Sequence, residues 1–408
     1  MGEKKDTSLI AKKEKRRFAL LVAGITVIWL GIYSIGSERI ETVQTNTKIR
    51  RAATAAISTN EYGGLYEELR KNSILERNTI KNESSQCPDI IALTYASHGG
   101  RDDRFCRSLE SAIRNGVDLQ VLGWGIKWEG LSQKLGAALD AVRALPSECV
   151  VLFTDAYDVL FTQSPKEMRR KFEALNKPLI FSGECGCWPQ VQRDNGRTCR
   201  DKYPLSPTPF RYLNSGSWMG RAGVAAEFLA RLVKDAGLGS SSAFHKLNDQ
   251  ELAAELYFSG EFGTDRLGLD HYATLFMPMH AVNDKTMVPN CDPRHHLTPT
   301  GNGIFINTLT KSTPAVYHFN GGGKKHHLPM EAQMWWKHCS DANTPELQAA
   351  VESTKLQFHK NRLPFAQVCP NHLQLTRLSP SKERHCYLQP SIHQGYSLSS
   401  SSLRREEE

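Results

Sequence analysis

From Pro88 onward the chain alternates short apolar runs with amphipathic stretches, the pattern of βα units. Asp89 to Ala96 (DIIALTYA) predicts a first buried strand. Residues 103–115 predict a helix, with Phe105, Leu109 and Ile113 on one stripe at i, i+4 and i+8. LQVLGW predicts a second strand, Leu131 to Leu145 a second helix with Leu135, Leu139 and Val142 inward, and Cys149 to Thr154 (CVVLFT) a third strand. Such alternation favours an α/β fold with a mainly parallel, Rossmann-type sheet flanked by helices. Ligands of open α/β sheets bind outside the carboxyl ends of the strands, so the polar residues just after each strand carry the most information.

Upstream the texture differs. Phe18 to Gly36 is an uncharged stretch of nineteen residues, long enough to cross a ~30 Å hydrocarbon core as a transmembrane helix. The preceding AKKEKRR keeps that end cytoplasmic, which predicts a single-pass type II signal-anchor with the body of the chain in the lumen of the endoplasmic reticulum or Golgi. A cleaved signal peptide is the alternative, since Ser34-Ile35-Gly36 has a small-x-small form, but the apolar run exceeds the usual h-region. The organisation expected is a tail at 1–17, the span at 18–36, a stem at 37–88, one large α/β domain at 89–330, a disulfide-braced extension at 331–388 and a disordered polar tail at 389–408.

Composition narrows the function classes. With 408 residues, 40% hydrophobic and 23% charged, whole-chain disorder, collagen and coiled coil are excluded. Of the net charge of +8, the first seventeen residues hold seven basic against three acidic side chains, so the remaining 391 carry only +4. That is no footprint for nucleic acid. Ten cysteines beyond the anchor suit an oxidising compartment and allow up to five disulfides, whose pairing spacing does not give. Asn82-Glu83-Ser84 is a glycosylation sequon.

The candidate chemistry begins after the third strand, at Thr154-Asp155-Ala156-Tyr157-Asp158. Two carboxylates three residues apart at a strand's end can turn toward one point, where hard oxygen ligands suit Mg²⁺ or Mn²⁺ bridging a diphosphate. The structural alternative makes Asp155 a turn cap and leaves Asp158 solvated. Taken singly, His318, after the apolar run AVY, reads as a core histidine sooner than as a ligand, and Asn320-Gly-Gly-Gly-Lys324 as a flexible turn without Walker A spacing. Cys291 with His295 and His296 superficially suggests zinc, but no second cysteine stands at finger spacing.

Taken in order, the segments LTYAS, WEG with Gln133 and Lys134, VLFTDAYDVLF, FSGECGCWP, RYLNSGSWMG, NDQELAAELY, LDHYATLF and VYHFNGGGK resemble the GT-A type glycosyltransferase domain of the procollagen lysyl hydroxylases, from about Ile91 to Lys324. The resemblance implies a GT-A-like fold and transfer of a hexose, glucose or galactose, from a UDP-sugar donor to a hydroxyl of a glycoprotein or glycan acceptor. It implies Asp155, Asp158 and His318 as ligands of Mn²⁺ (or Mg²⁺), and Ser97, Lys134, Tyr157, Asn320, Gly321 and Lys324 as nucleotide and diphosphate residues. Trp188 and Trp128 match aromatic positions around the sugar. Asn248 and Asp249 fall in a segment that is strongly acidic in the animal enzymes, and Asp249 is the candidate for positioning or activating the acceptor. This chain has Ser217 where the family's NSGG segment has its second glycine. Asp270-His271 is shared and reads as structural. The oxygenase half of those enzymes has no counterpart after Lys324, so lysine hydroxylation is not expected. A scaffold that kept the fold but lost turnover is the competing reading; retention of Asp155, Asp158, His318 and Lys324 argues against it, because charged groups are costly to hold together unpaired.

Overall fold

The computed structural model describes residues 87–99, 103–190, 197–235, 247–282, 291–300, 304–338, 345–370 and 372. The predicted anchor at 18–36, the stem to residue 86, the sequon and the tail from 389 lie outside the described residues. Among those described, no helix is long and apolar enough to cross a membrane.

In chain order the main elements are β1 (Ile91–Tyr95), α1 (Arg104–Arg114), β2 (Leu119–Leu122), α2 (Gln133–Arg143), β3 (Val150–Thr154), β4 (Val159–Phe161), α3 (Pro165–Ala174), β5 (Leu179–Glu184), α4 (Arg197–Asp201), β6 (Tyr212–Arg221), α5 (Ala222–Asp235) and α6 (Asp249–Ser259). They continue with β7 (Leu267–Asp270), β8 (Phe276–Pro278), β9 (Leu297–Pro299), β10 (Phe305–Asn307), β11 (Val316–His318), a 3₁₀ turn at Gly321–His326, α7 (His327–Glu331), α8 (Trp335–His338), α9 (Pro345–Ser353), β12 (Lys355–Phe358), β13 (Asn361–Pro364) and α10 (Phe365–Val368). The three strands and two helices anticipated between residues 89 and 154 all form, with ends shifted by one or two residues.

Eight strands make one sheet in the order β13-β12-β2-β1-β3-β6-β5-β7. The sheet is mixed: β12/β2, β2/β1, β1/β3 and β5/β7 run parallel, while β13/β12, β3/β6 and β6/β5 run antiparallel. Strands buried on both faces read as continuous apolar runs, which is why VVLFT is buried throughout. One face packs Ala92, Val150 and Leu152 against the α1 stripe of Phe105, Leu109 and Ile113. The other packs Leu93, Val151 and Phe153 against α2 and α5 through Leu135, Leu139, Phe228 and Leu232. Residues 355–364 add two strands to this same sheet, so the segment after 331 completes the domain's edge.

Two local features set the site. The reversed β6 brings its first residues, Asn214 to Ser217, to the carboxyl ends of its neighbours: Ser217 opposes Thr154, and beyond a bulge at Phe181/Ser182 Asn214 opposes Ser182. A smaller sheet, β4-β11-β8, places His318 opposite Val159, directly after Asp158. Four disulfides join described residues: Cys87–Cys149, Cys106–Cys369, Cys185–Cys291 and Cys187–Cys199.

Candidate active site

The short connection from β3 to β4 carries both carboxylates, and β11 delivers the imidazole. Asp155 donates its backbone N–H to the Gly216 carbonyl at 2.7 Å, and Phe319 donates its own to the Asp158 carbonyl at 2.7 Å, so backbone bonds to β6 and β11 fix the loop. His318 Nε2 then stands 3.5 Å from Asp155 Oδ2 and 3.5 Å from Asp158 Oδ1. One donor atom from each of the three lies within 4.8 Å of the others. An imidazole and two carboxylates at this spacing fit Mn²⁺ or Mg²⁺ with several positions left for other oxygens. The ring is oriented from behind: its Nδ1 lies 3.1 Å from Asn214 Oδ1, which also accepts the Gly216 N–H. Such a partner fixes the tautomer that leaves Nε2 for a metal.

Cations and further acids surround this triad. The buried ammonium of Lys134 on α2 is 2.9 Å from both Asp155 Oδ1 and Asp249 Oδ2. Burial opposes its charge, but the two carboxylates outweigh burial and hold its pKa above the ordinary lysine value. Asp155 is likewise held well below the usual carboxylate range, against burial, by Lys134 and then His318. Lys324 reaches Asp158 at 3.6 Å from a half-exposed position. Asp249 is buried, and its Oδ2 also accepts from the Ser215 hydroxyl at 2.7 Å. The structure thus places Asp249 as the carrier of Lys134, with its carboxylate engaged from two sides. Asn248, expected among the catalytic residues, is the N-cap of α6: its side chain accepts from the backbone N–H groups of Gln250 and Glu251. Asn248→Ala should cost about 1 kcal/mol of stability, read as a lower melting temperature, and leave metal affinity unchanged.

The residues expected on the nucleotide side, Ser97 and Tyr157, cluster at the ends of β1 and β3. The Tyr157 hydroxyl donates to the His98 carbonyl at 2.8 Å, with Ser97 in reach of the same hydroxyl. Trp128 and Trp188 are 45% and 40% exposed, so neither belongs to the core. Ser217 occupies ordinary strand geometry opposite Thr154, so the second glycine is dispensable there. Asp270 accepts backbone N–H groups of Thr274, Leu275 and Phe276, a structural role as expected. Cys291 is bonded to Cys185, which ends the zinc reading.

One residue that sequence reading missed is Glu184, the buried last residue of β5. Its carboxylate accepts from Asn214 at 3.0 Å, Gln250 at 2.8 Å and Asn320 at 2.7 Å, tying β6, α6 and the glycine turn together. Burial raises its pKa, partly countered by these amide donors. An acid closing a fully buried strand was the available signal. A second buried group, Glu110, Glu331 and His372, could also be read as a metal shell. There Arg114 and Lys337 already neutralise Glu110, and Arg107 neutralises Glu331, so the group braces α1, α7 and residue 372.

The model of the PLOD GT domain family matches residues 86–332, more than half of the chain. The chain belongs to this family. Among its relatives are the mouse procollagen-lysine,2-oxoglutarate 5-dioxygenase 2, 26% identical over 58% of this chain and 30% of the relative, and the Caenorhabditis elegans multifunctional procollagen lysine hydroxylase and glycosyltransferase, 26% identical over 59% and 31%. An uncharacterized protein of Acanthamoeba polyphaga mimivirus is 28% identical over 55% of this chain and 43% of its own length. The chain therefore spans less than half the length of these relatives. A glycosyltransferase involved in the glycosylation of the major capsid of PBCV-1 superposes with a TM-score of 0.33 at 12% identity, covering 60% of this chain and all of its own, a likeness too slight to carry weight.

Metal binding to this PLOD GT domain should depend on pH. Burial opposes a charge on His318, but Asp158 and Asp155 raise its pKa to about 10. At pH 7 the metal-free ring is thus protonated, and a metal must displace that proton. Mn²⁺ affinity should therefore rise about tenfold per pH unit between pH 7 and 9, measured by titration calorimetry, with a flat profile excluding His318 as a ligand.

Proposed function

We propose that the domain is a GT-A type, divalent-metal-dependent glycosyltransferase moving a hexose, glucose or galactose, from a UDP-sugar to a hydroxyl of a protein-linked or glycan acceptor. The convergence of Asp155, Asp158 and His318 at the mouth of the sheet carries the reading. When bound there, Mn²⁺ or Mg²⁺ supplies Lewis-acid neutralisation of the diphosphate leaving group. The chain's own groups do the rest. Lys134 and Lys324 set the positive potential on either side of the carboxylates, and Lys324, half-exposed, is free to swing onto a phosphate oxygen. Gly321, at φ +49°, opens the turn where the diphosphate would lie. Tyr157 and Ser97 flank the nucleoside end, and the exposed faces of Trp128 and Trp188 suit sugar C–H surfaces. Asp249, through Lys134, and Asn248, through the α6 cap, position rather than transfer.

The predicted anchor at 18–36 and the four disulfides support a lumenal, single-pass type II placement in the endoplasmic reticulum or Golgi. The test is release of UDP by the detergent-solubilised full chain from a panel of UDP-sugars, with Mn²⁺ and with EDTA. Metal-dependent release from one donor establishes the class and names the sugar. Absence of metal-dependent UDP binding sinks it in favour of an inactive lumenal scaffold.

A further inference from the structure

His280, two residues past β8, was singled out by no motif. Its half-buried ring lies against the glycine turn: a methyl built on Gly321 or Gly322 would stand 3.0 or 3.3 Å from its Nδ1. The Gly322 N–H donates to that nitrogen at 3.0 Å. The backbone N–H of His280 in turn donates to Asn320 Oδ1 at 3.1 Å. Residue 280 therefore grips the turn at both of its first corners, once through the ring and once through the main chain. On its other side Cδ2 stands 3.7 Å from where a Gly186 side chain would begin, in the loop that carries Trp188.

An imidazole nitrogen that accepts from a backbone N–H cannot carry a proton itself, so the neutral ring has its hydrogen on Nε2. Burial favours that neutral form. Gly321 has the left-handed φ of +49°, a conformation with many alternatives for glycine, so the turn needs an external constraint to hold one shape. Among the described residues the constraints include Asn320, tied to Glu184 and to the Met279 N–H, and His280, the one side chain that accepts from the Gly322 N–H.

We propose that His280 is a positioning residue for the donor: its Nδ1 holds the Asn320-Gly321-Gly322 turn in the shape that receives the diphosphate of a nucleoside diphosphate sugar. This rests on the function proposed above. The recognition it serves is of the second phosphate, so it separates a nucleoside diphosphate from a monophosphate.

The experiment compares the full chain with His280→Phe, which keeps a ring and removes the acceptor, and His280→Asn, which keeps an acceptor near the same place. In Mn²⁺, His280→Phe should weaken UDP binding about three- to tenfold, the worth of one neutral hydrogen bond, and leave UMP binding unchanged. His280→Asn should recover UDP binding to near the parent value. The Gly322 amide should exchange faster in the phenylalanine variant and at the parent rate in the asparagine variant. Equal weakening of UDP and UMP, no weakening at all, or no recovery with asparagine overturns the assignment. A parent that binds no UDP removes the donor reading and the assignment with it, whereas unchanged Gly322 exchange in His280→Phe removes the assignment alone. If the phenylalanine variant does not fold, His280→Leu is judged by the same criteria.

Discussion

Asp158→Asn should leave the fold intact and reduce Mn²⁺-dependent UDP release by about 10²–10³-fold, with a parallel loss of Mn²⁺ affinity. Asparagine nearly preserves the volume of the side chain but replaces an anionic oxygen with a neutral one, or with an N–H₂ that repels a cation. Asp158 is 8% exposed and lies 3.5 Å from His318 and 3.6 Å from Lys324, so its charge acts at short range with little water to screen it. No other carboxylate among the described residues completes a three-donor group with Asp155 and His318. Activity within threefold of the parent together with unchanged Mn²⁺ affinity would remove Asp158 from the metal shell. Retained acceptor binding with no change in UDP affinity would favour the scaffold.

Gly216→Ala should be nearly as damaging although residue 216 offers no side chain to any ligand. A methyl there would stand 2.2 Å from His318 Cε1 and 2.7 Å from Asp155 Oδ2, so both metal ligands must move aside. The backbone cannot retreat, because β6 is paired with β3 and β5 and the Gly216 carbonyl accepts the Asp155 N–H. Overpacking of this kind costs about 1–3 kcal/mol of stability. Misplacing two ligands together should lower Mn²⁺ affinity by about 10²-fold, seen in the same titration. Ser217→Ala is the control: its buried hydroxyl has no hydrogen-bond partner, and its loss should leave metal affinity unchanged. Equal Mn²⁺ affinity for Gly216→Ala and the parent would show that the triad does not hold the metal.

These two positions mark how far the amino-acid order reached. Asp158 was legible, because a carboxylate pair after an apolar strand stands out locally and the strand's burial on both faces fixes where the loop emerges. The importance of Gly216 was not, since it arises from close approach of His318 across a strand whose reversed direction no local pattern encodes. Glu184 and His280 were missed for the same reason. Each acquires its role from partners far along the chain: Asn214, Gln250 and Asn320 for Glu184, and Gly322 for His280. Conversely, Asn248 looked like chemistry beside Asp249 and is a helix cap, a role set by the three residues after it.

Periodicity and the order of motifs by themselves determined the α/β units around β1 to β3, the α1 stripe, the carboxylate loop and the family, because each rests on neighbours within a strand or a helical turn. The tertiary structure alone decided the mixed sheet, the disulfide partners, the pairing of Lys134 between Asp155 and Asp249, and the geometry in which His318, implied as a ligand by the resemblance, meets Asp155 and Asp158. These follow from strand register and burial, which sum over the whole domain: a shift of one residue in β11 against β4 would turn His318 to the opposite face while leaving every local propensity unchanged.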